Sequence, residues 1–465
     1  MTSGINNQDT VKLVKKYDRP GPRYTSYPTV PNWTDEYGPD KFIETLKVAS
    51  NKSDQPLSLY LHIPFCKKRC WFCGCTTTVS PTTEPADRYL DALNKEISLV
   101  SPHLNNRKSV SQLHWGGGTP STLTDSQTED YFAAISDSFN ITEDAEISIE
   151  LDPRTTTENR LKLLSDLGFN RLSFGIQDFN SNVQTAIGRN QSEKQAVDLY
   201  NTARKLGFGR INFDLIYGLP GQDESGFTKT IEKVINLKPD RIALYSFAYL
   251  PQLKKHQGRI DKALIPDAEI KLQLFLVARS QFIENGYCQI GMDHFVLPDD
   301  ELSLARDKGL LRRNFMGYTV NSAEDWLGIG MSAISYINES FAQNISTLSK
   351  YYESIDSRQS AVFRGLSLSD DDLIRQAVIS DIMCNFRIDY ETFSRRFDIT
   401  FDKYFTEEIK QLEQFLNDGL IARDANHIEI TETGQLFVRN IAMIFDAYLK
   451  DNQSNKLGPS YSRTV

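Results

Sequence analysis

With 465 residues, 40% of them hydrophobic and 24% charged, the chain is long enough for two or three domains around at least one large core. Its formal net charge of −9 leaves no broad basic field for a nucleic-acid backbone. No stretch nears the roughly 18 uninterrupted apolar residues of a membrane span, and the first residues lack a basic start followed by an apolar core, so a cytoplasmic protein without a secretory signal is expected.

Residues 1–55 hold Arg19-Pro20-Gly21-Pro22 and Pro28, show little periodicity, and read as an extended N-terminal arm. The arm's basic residues Lys12, Lys15, Lys16, Arg19 and Arg23 suit either solvent or an acidic small molecule. From Leu57 a repeating pattern begins, in which short apolar or β-branched runs alternate with helical stretches. The runs are 57–63, one ending at His114-Trp115, 145–151, 171–177, 210–217 and 241–247, and helical spacing separates them, as at 193–206 and 224–237. Strands alternating with helices imply a parallel sheet covered by helices, closed into a partial or complete barrel or left as an open doubly wound sheet. Ligands of such sheets sit at the C-terminal ends of the strands. The unusual residues fall there: Cys66 after the first run, Gly116-Gly-Gly-Thr119 after the second, Glu150-Leu-Asp152 at the third, then Gln177, Asp214 and Ala248.

Beyond residue 360 the texture changes. Helical patterns at 370–385 and 401–418, a short hairpin through Gly419 to Gly434, and a last helix at 436–449 describe a small, mainly helical C-terminal domain with a wing-like hairpin. The polar residues 452–465 are expected to fray. The expected division is therefore an arm (1–55), a barrel with its extension (56–360) and the C-terminal domain (361–465).

Four of the six cysteines crowd into Cys66-Lys-Lys-Arg-Cys70-Trp-Phe-Cys73-Gly-Cys75. In a reducing compartment such crowding argues for a metal site and against a disulfide framework. Thiolates are soft donors that favour zinc or an iron–sulfur cluster. Structural zinc sites draw paired ligands from two places in the chain, and no second pair is present. Ferredoxin spacings give four cysteines to each cluster. Cys288 and Cys384, alone in apolar surroundings, read as buried thiols.

The three-cysteine spacing Cys66, Cys70, Cys73 after a first strand resembles the radical S-adenosylmethionine superfamily, with Phe72 as the aromatic residue before the last cysteine. Tyr24-Thr-Ser-Tyr-Pro-Thr29, Cys73-Gly-Cys75, Trp115-Gly-Gly-Gly-Thr-Pro120, Gly291-Met-Asp-His-Phe295 and Asn314-Phe-Met-Gly-Tyr-Thr319 resemble the oxygen-independent coproporphyrinogen III oxidase (coproporphyrinogen dehydrogenase) family over nearly the whole chain. The resemblance implies an α/β fold, a partial (β/α)6 TIM-like barrel of the radical S-adenosylmethionine type, with the arm closing over the active site. It implies one 4Fe–4S cluster on Cys66, Cys70 and Cys73, whose open iron is chelated by S-adenosylmethionine. A first S-adenosylmethionine is expected against Tyr60, Gly117, Glu150 and Ile334. A second is expected against Phe72, Gly118, Thr119, Gln177, Arg189, Asp214 and Ala248. The implied reaction is decarboxylation of two propionates of coproporphyrinogen III to vinyl groups, started by a 5′-deoxyadenosyl radical. A flavodoxin or ferredoxin as electron donor and a monomeric state go with it.

Each of these residues also has a plainer reading. Ile334 suits a core, Tyr60 an ordinary strand, and Arg189 a surface ion pair worth at most about 1 kcal/mol. Gly328-Ile-Gly330-Met-Ser-Ala333 mimics a dinucleotide fingerprint but reads as a packed turn, for want of a preceding strand and an acidic partner. Asp293-His294 reads as a general base or as a hydrogen-bonded structural pair. The family's usual Gln is Met316 here, and its second Thr is Val320. Those departures keep two alternatives open: a paralogue acting on haem or another tetrapyrrole, and a haem-binding or haem-trafficking protein on the same fold. A zinc-stabilised barrel is a third. The roles of Cys75 and Met316, the electron donor and acceptor, and the order of the decarboxylations are not legible.

Overall fold

The computed structural model describes residues 7–320, 323–452 and 461–464. The six expected runs form β1 (Leu57–Ile63), β2 (Ser109–Gly117), β3 (Asn140–Leu151), β4 (Arg171–Gln177), β5 (Arg210–Tyr217) and β6 (Arg241–Ser246). They lie side by side in that order, all parallel. Helices Glu84–Val100, Asp125–Ser138, Glu193–Lys205 and Glu224–Leu237 make crossovers between them. Thr124, Ser192 and Asp223 cap the last three by accepting from the main-chain N–H of Gln127, Gln195 and Gly226.

Strand alternation gives this sheet two unlike faces. Leu61, Ile149, Phe174, Phe213 and Leu244 are buried under the helices, each worth roughly 1.5–3 kcal/mol. Their neighbours His114, Ser148, Glu150, Ser173, Asn212, Asp214 and Tyr245 face inward and line a polar bore of about 120 Å³. The period of two therefore builds the core and delivers polar groups to the interior in one stroke.

Trp326–Ile329 adds parallel to β1, followed outward by antiparallel Ile334–Ile337, Ser340–Asn344 and Val362–Ser367; His294–Val296 and Cys288–Ile290 extend the sheet beyond β6. Among the described residues no ladder joins β6 back to β1, so the barrel is open-sided. A hairpin, Arg312–Asn314 with Gly317–Thr319, contributes Asn314, Met316 and Tyr318 to the bore. Between residues 285 and 367 the strands carry no clear signal in the sequence, being only three to six residues long, whereas the expected wing hairpin is present as Ile421–Arg423 paired with His427–Ile430. Gly328 and Ile329 end a strand, correcting the expectation that none precedes the glycines, and 330–333 turn into the next strand without the helix that a dinucleotide fingerprint needs.

The expectation of an extended arm is corrected by two helices, Asn7–Tyr17 and Pro39–Ala49. The second helix starts after Gly38 with Pro39 at its first position, where the missing N–H is harmless. The first packs on the C-terminal domain: Tyr17 stacks on Phe415 at 4.9 Å between centroids. The C-terminal domain holds helix Asp370–Asn385, capped reciprocally by Ser369 and Asp372, and a three-stranded sheet of Arg387–Asp389, His427–Ile430 and Ile421–Arg423. Two expected helices are broken. Residues 401–418 split at Phe405, and 436–449 divide into short 3-10 and α-helical turns. The tail expected to fray lies largely outside the described residues, while 461–464 pair with the arm through Pro20 and Arg463. Among the described residues no helix is long and apolar enough to cross a membrane. Cys384 is buried and its thiol is pushed up to about 12 by burial, whereas Cys288 is only half-buried.

Candidate active site

A cavity of about 440 Å³ opens at the C-terminal ends of β2 to β6, against the cysteine loop. Cys66, Cys70 and Cys73 line it, with Phe72, Gly117, Gly118, Thr119, Glu150, Gln177, Arg189, Asp214 and Ala248. Two expected residues do not. Tyr60 donates its hydroxyl to Nδ1 of His62 at 3.0 Å and stacks on His114. Ile334 packs in the cluster of Trp33, Trp326 and Phe341.

The glycines are dictated by close approach. A Cβ on Gly118 would stand 2.6 Å from the main chain of Pro64, and Gly117 has φ +114° with the His62 ring behind it. With no side chain between them, Gly118 N–H reaches the carbonyl of Ile63 and Thr119 N–H that of Phe65, which ties the start of the cysteine loop to the end of β2. The Thr119 hydroxyl lies 3.3 Å from the Cys66 sulfur. His62 donates from Nε2 to the carbonyl of Thr76 at 3.0 Å and so fixes the far side of the loop. Burial lowers its pKa, which keeps the ring neutral and leaves Nδ1 free to accept from Tyr60.

A buried polar lattice surrounds Cys70. Asp152 pairs with Arg189 at 3.2 Å and with Arg154 at 2.6 Å, and both guanidinium groups come within 3.5 Å of the Cys70 sulfur. Burial works against ionised Asp152, yet the two cations hold its carboxyl below the usual range. Arg189 is 5% exposed, so it is not the surface ion pair of the plainer reading. Gln177 has φ +68°, at a register shift between β4 and β5 that turns the chain end toward the cavity.

Carboxylates make the opposite wall. Burial opposes the ionisation of Glu150, but His114 at 3.5 Å and the Gly117 N–H at 3.0 Å bring its pKa below the usual value. Asp214 behaves differently: burial and the nearby Glu150 push it up to about 6, against bonds from Asn212 and Ser173. The site thus holds one firm anion and one group close to sharing a proton.

The thiols differ in the same way. Burial pushes Cys66 up to about 11, whereas a hydrogen bond from Cys75 brings Cys73 down to about 6, with Lys254 and Arg69 helping. Cys75 itself is raised by its contact with Cys73. Among the described residues no three His, Cys, Asp or Glu side chains stand close enough to grip one ion. The fit to a multi-iron group rests on the donors: three soft thiols around one opening, with hydroxyl and guanidinium donors aimed at the sulfurs.

Several residues that shape the site carry no signal of their own in the sequence. Gln257 and His256 sit in the segment after β6, where Gln257 Nε2 donates to the carbonyls of both Phe72 and Ala248 at 3.0 Å, and His256 Nε2 lies 2.8 Å from the Cys73 carbonyl. Trp71 covers Gly188, where any Cβ would strike its ring. Asp293 binds His294 at 2.8 Å and Arg23 at 2.8 Å, the structural pair of the two readings. Arg23 is therefore the arm cation that reaches the barrel, whereas Lys12 pairs with Asp9 and Lys16 with Asp418. The arm's Tyr24 donates to Asp446 at 2.9 Å and is buried against the C-terminal domain.

Comparison with known proteins places this architecture. Residues 60–234 match the radical SAM superfamily and residues 368–437 the HemN C-terminal domain. The chain is 44% identical over 438 residues to the oxygen-independent coproporphyrinogen III oxidase of Escherichia coli, covering 94% of this chain and 95% of that protein. It is 42% identical over 460 residues to the enzyme of the same name from Synechocystis, with 98% of each covered. The solved structure of coproporphyrinogen III oxidase (HemN) from Escherichia coli, described as a radical SAM enzyme, superposes with a TM-score of 0.90 at 43% identity, over 94% of this chain and 98% of that one. An open six-stranded parallel barrel with three thiols at its mouth, shared at this identity from end to end, makes the chain a member of the oxygen-independent coproporphyrinogen III oxidase family within the radical S-adenosylmethionine superfamily.

Proposed function

We infer that this chain converts two propionate side chains of coproporphyrinogen III to vinyl groups without oxygen, giving protoporphyrinogen IX for haem biosynthesis. The observation that carries the reading is near full-length kinship joined to three thiols converging on one cavity at the strand ends. Cys66, Cys70 and Cys73 would hold three irons of a 4Fe–4S cluster and leave a fourth for S-adenosylmethionine. When bound and reduced, that pair supplies the 5′-deoxyadenosyl radical that takes a hydrogen atom from the β-carbon of a propionate. The substrate then gives up carbon dioxide and one electron, which an acceptor must take.

The chain's own residues bind, orient and exclude. Gly117, Gly118 and Thr119 let main chain approach a ligand closely, and Glu150 offers a lasting anion to an ammonium or to ribose hydroxyls. Gln177, Arg189, Asp214, Phe72 and Ala248 line the remaining wall and suit a second S-adenosylmethionine. Tyr60 and Ile334 act on the first one indirectly, through His62 and His114 and through the 330–334 turn. The arm is anchored to the C-terminal domain, so it closes the top of the site as part of that unit. Positioning of this kind converts an encounter into an oriented reaction and keeps a reactive radical from water.

The test is an anaerobic assay of the iron- and sulfide-reconstituted protein with reductant, S-adenosylmethionine, coproporphyrinogen III and an electron acceptor. The expected result is 5′-deoxyadenosine together with protoporphyrinogen. Deoxyadenosine without a decarboxylated tetrapyrrole would discard the substrate, and neither product from cluster-loaded protein would discard the reaction.

A further inference from the structure

The reaction needs an electron delivered to the cluster, and the surface around the cysteine loop departs from the rest of the molecule in charge. The chain as a whole carries −9. Residues 64–80 nonetheless hold Lys67, Lys68 and Arg69 and no acid. Residues 250–262 hold Lys254, Lys255, Arg259 and Lys262 against the single acid Asp261. The two segments form one surface, because His256 and Gln257 bond the carbonyls of Cys73 and Phe72.

Arg69 donates to the Thr77 hydroxyl and carbonyl, while the cations beside it turn to solvent. Lys67, Lys68, Lys255, Arg259 and Lys262 are exposed, and among the described residues none of the seven meets a carboxylate within ion-pair distance. Among the same residues stand exposed apolar side chains, Leu253 at 60% and Val79 at 48%. Apolar contacts ringed by unpaired charge of one sign are the make-up of a transient protein interface steered by electrostatics.

We propose that this face, formed by residues 64–80 and 250–262, is the docking surface for an acidic one-electron carrier, a small flavin or iron–sulfur protein. The proposal rests on the radical reading of the site. Lys67, Lys68 and Arg69 lie in sequence between Cys66 and Cys70, and Lys68 and Arg69 also reach the cavity, so a carrier bound here sits beside the loop that would hold the cluster. One electron passes from the reduced carrier, which is oxidised, to the cluster, which is reduced. Charge complementarity selects an acidic partner and repels basic ones.

The experiment uses the reconstituted full chain, with the triple substitution K255E, R259E and K262E. These three are exposed and do not line the cavity. A second triple variant, K229E, K308E and K350E, makes the same charge change on other exposed positions. Turnover is driven either by enzymatically reduced flavodoxin or by dithionite, at low and at high ionic strength. With flavodoxin, the first variant is expected to lose about 10-fold in kcat/KM for the carrier at low salt, with a flattened salt dependence. With dithionite it should match the parent enzyme, and the second variant should match it under both reductants. Equal loss with both reductants, or a raised KM for the porphyrinogen, would assign the patch to substrate entry and overturn the proposal. No loss with flavodoxin would overturn it as well. A parent enzyme inactive with either reductant would instead refute the radical reading.

Discussion

The side-chain amide of Gln257 donates to the main-chain carbonyl of Phe72 at 3.0 Å, joining the segment after β6 to the loop that carries the cluster ligands. Gln257 is 1% exposed; its Nε2 also reaches the Ala248 carbonyl, and its carbonyl oxygen accepts from the Leu250 N–H. The cysteine loop is thus held from two sides, by His62 at Thr76 and by Gln257 at Phe72.

Replacing Gln257 with Ala leaves these main-chain groups without their partner, at about 1–3 kcal/mol for each group that stays dry. The expected outcome is a folded protein that binds iron but loses it several-fold faster to a chelator. Iron release followed by absorbance checks this, and an unchanged rate would show that the loop is held without Gln257.

Met316 lines the bore together with Glu150, Asp214 and Asn314, at the position where the family resemblance implies a Gln. Its N–H is already taken by Asn314 at 2.8 Å, so the side chain alone distinguishes this chain there. Met and Gln are close in length and volume, so Met316→Gln is expected to fold normally. One added hydrogen bond in a polar bore is worth about 0.5–1.5 kcal/mol. The predicted result is a KM for S-adenosylmethionine roughly 2- to 10-fold lower, with kcat unchanged. Steady-state kinetics of 5′-deoxyadenosine formation decides it.

Glu96 accepts from Tyr351, Asn344 and the Gly330 N–H deep beneath the 330–334 turn. Burial outweighs those bonds and pushes its pKa up to about 7. An acid whose folded pKa is raised favours folding while it is protonated in both states. That contribution is whole below the unfolded value of 4.5 and is lost as pH rises to about 7. The wild-type protein should therefore lose about 3 kcal/mol from this group between those limits. Glu96→Gln, which cannot titrate, should show a flatter dependence of melting temperature on pH in that window. Parallel curves for the two proteins would exclude the mechanism.

The six parallel strands were legible because each is a run of alternating or β-branched residues bounded by helical spacing, and β1, β4 and β5 match the expected spans residue for residue. The site was legible in part for a related reason. Residues such as Cys66, Gly117, Glu150 and Asp214 stand at strand ends, and the fold gathers strand ends in one place. What the sequence hid was held by distant pairings. Strands of three to six residues between Gly286 and Ser367 have too few positions for a period to show. Gln257, an ordinary polar residue, gains its importance only from two carbonyls near residues 72 and 248. The helix Asn7–Tyr17 has only Val11, Leu13, Val14 and Tyr17 as apolar positions, too few for its period to stand out, and Val14 and Tyr17 are buried in the cluster shared with the C-terminal domain.

The arm and the chain's far end are laced together. Gly21 N–H bonds Ser462, Thr464 N–H bonds Arg19, and Arg439 reaches the carbonyls of Pro22 and Arg463. Arg19 and Thr464 are 445 positions apart. During synthesis the arm precedes the barrel, yet its partners at 439 and 462–464 are made only after the barrel. The arm is therefore secured by groups that lie beyond the whole barrel in sequence, and breaking the Arg439 contacts would loosen the arm and residues 462–464 together.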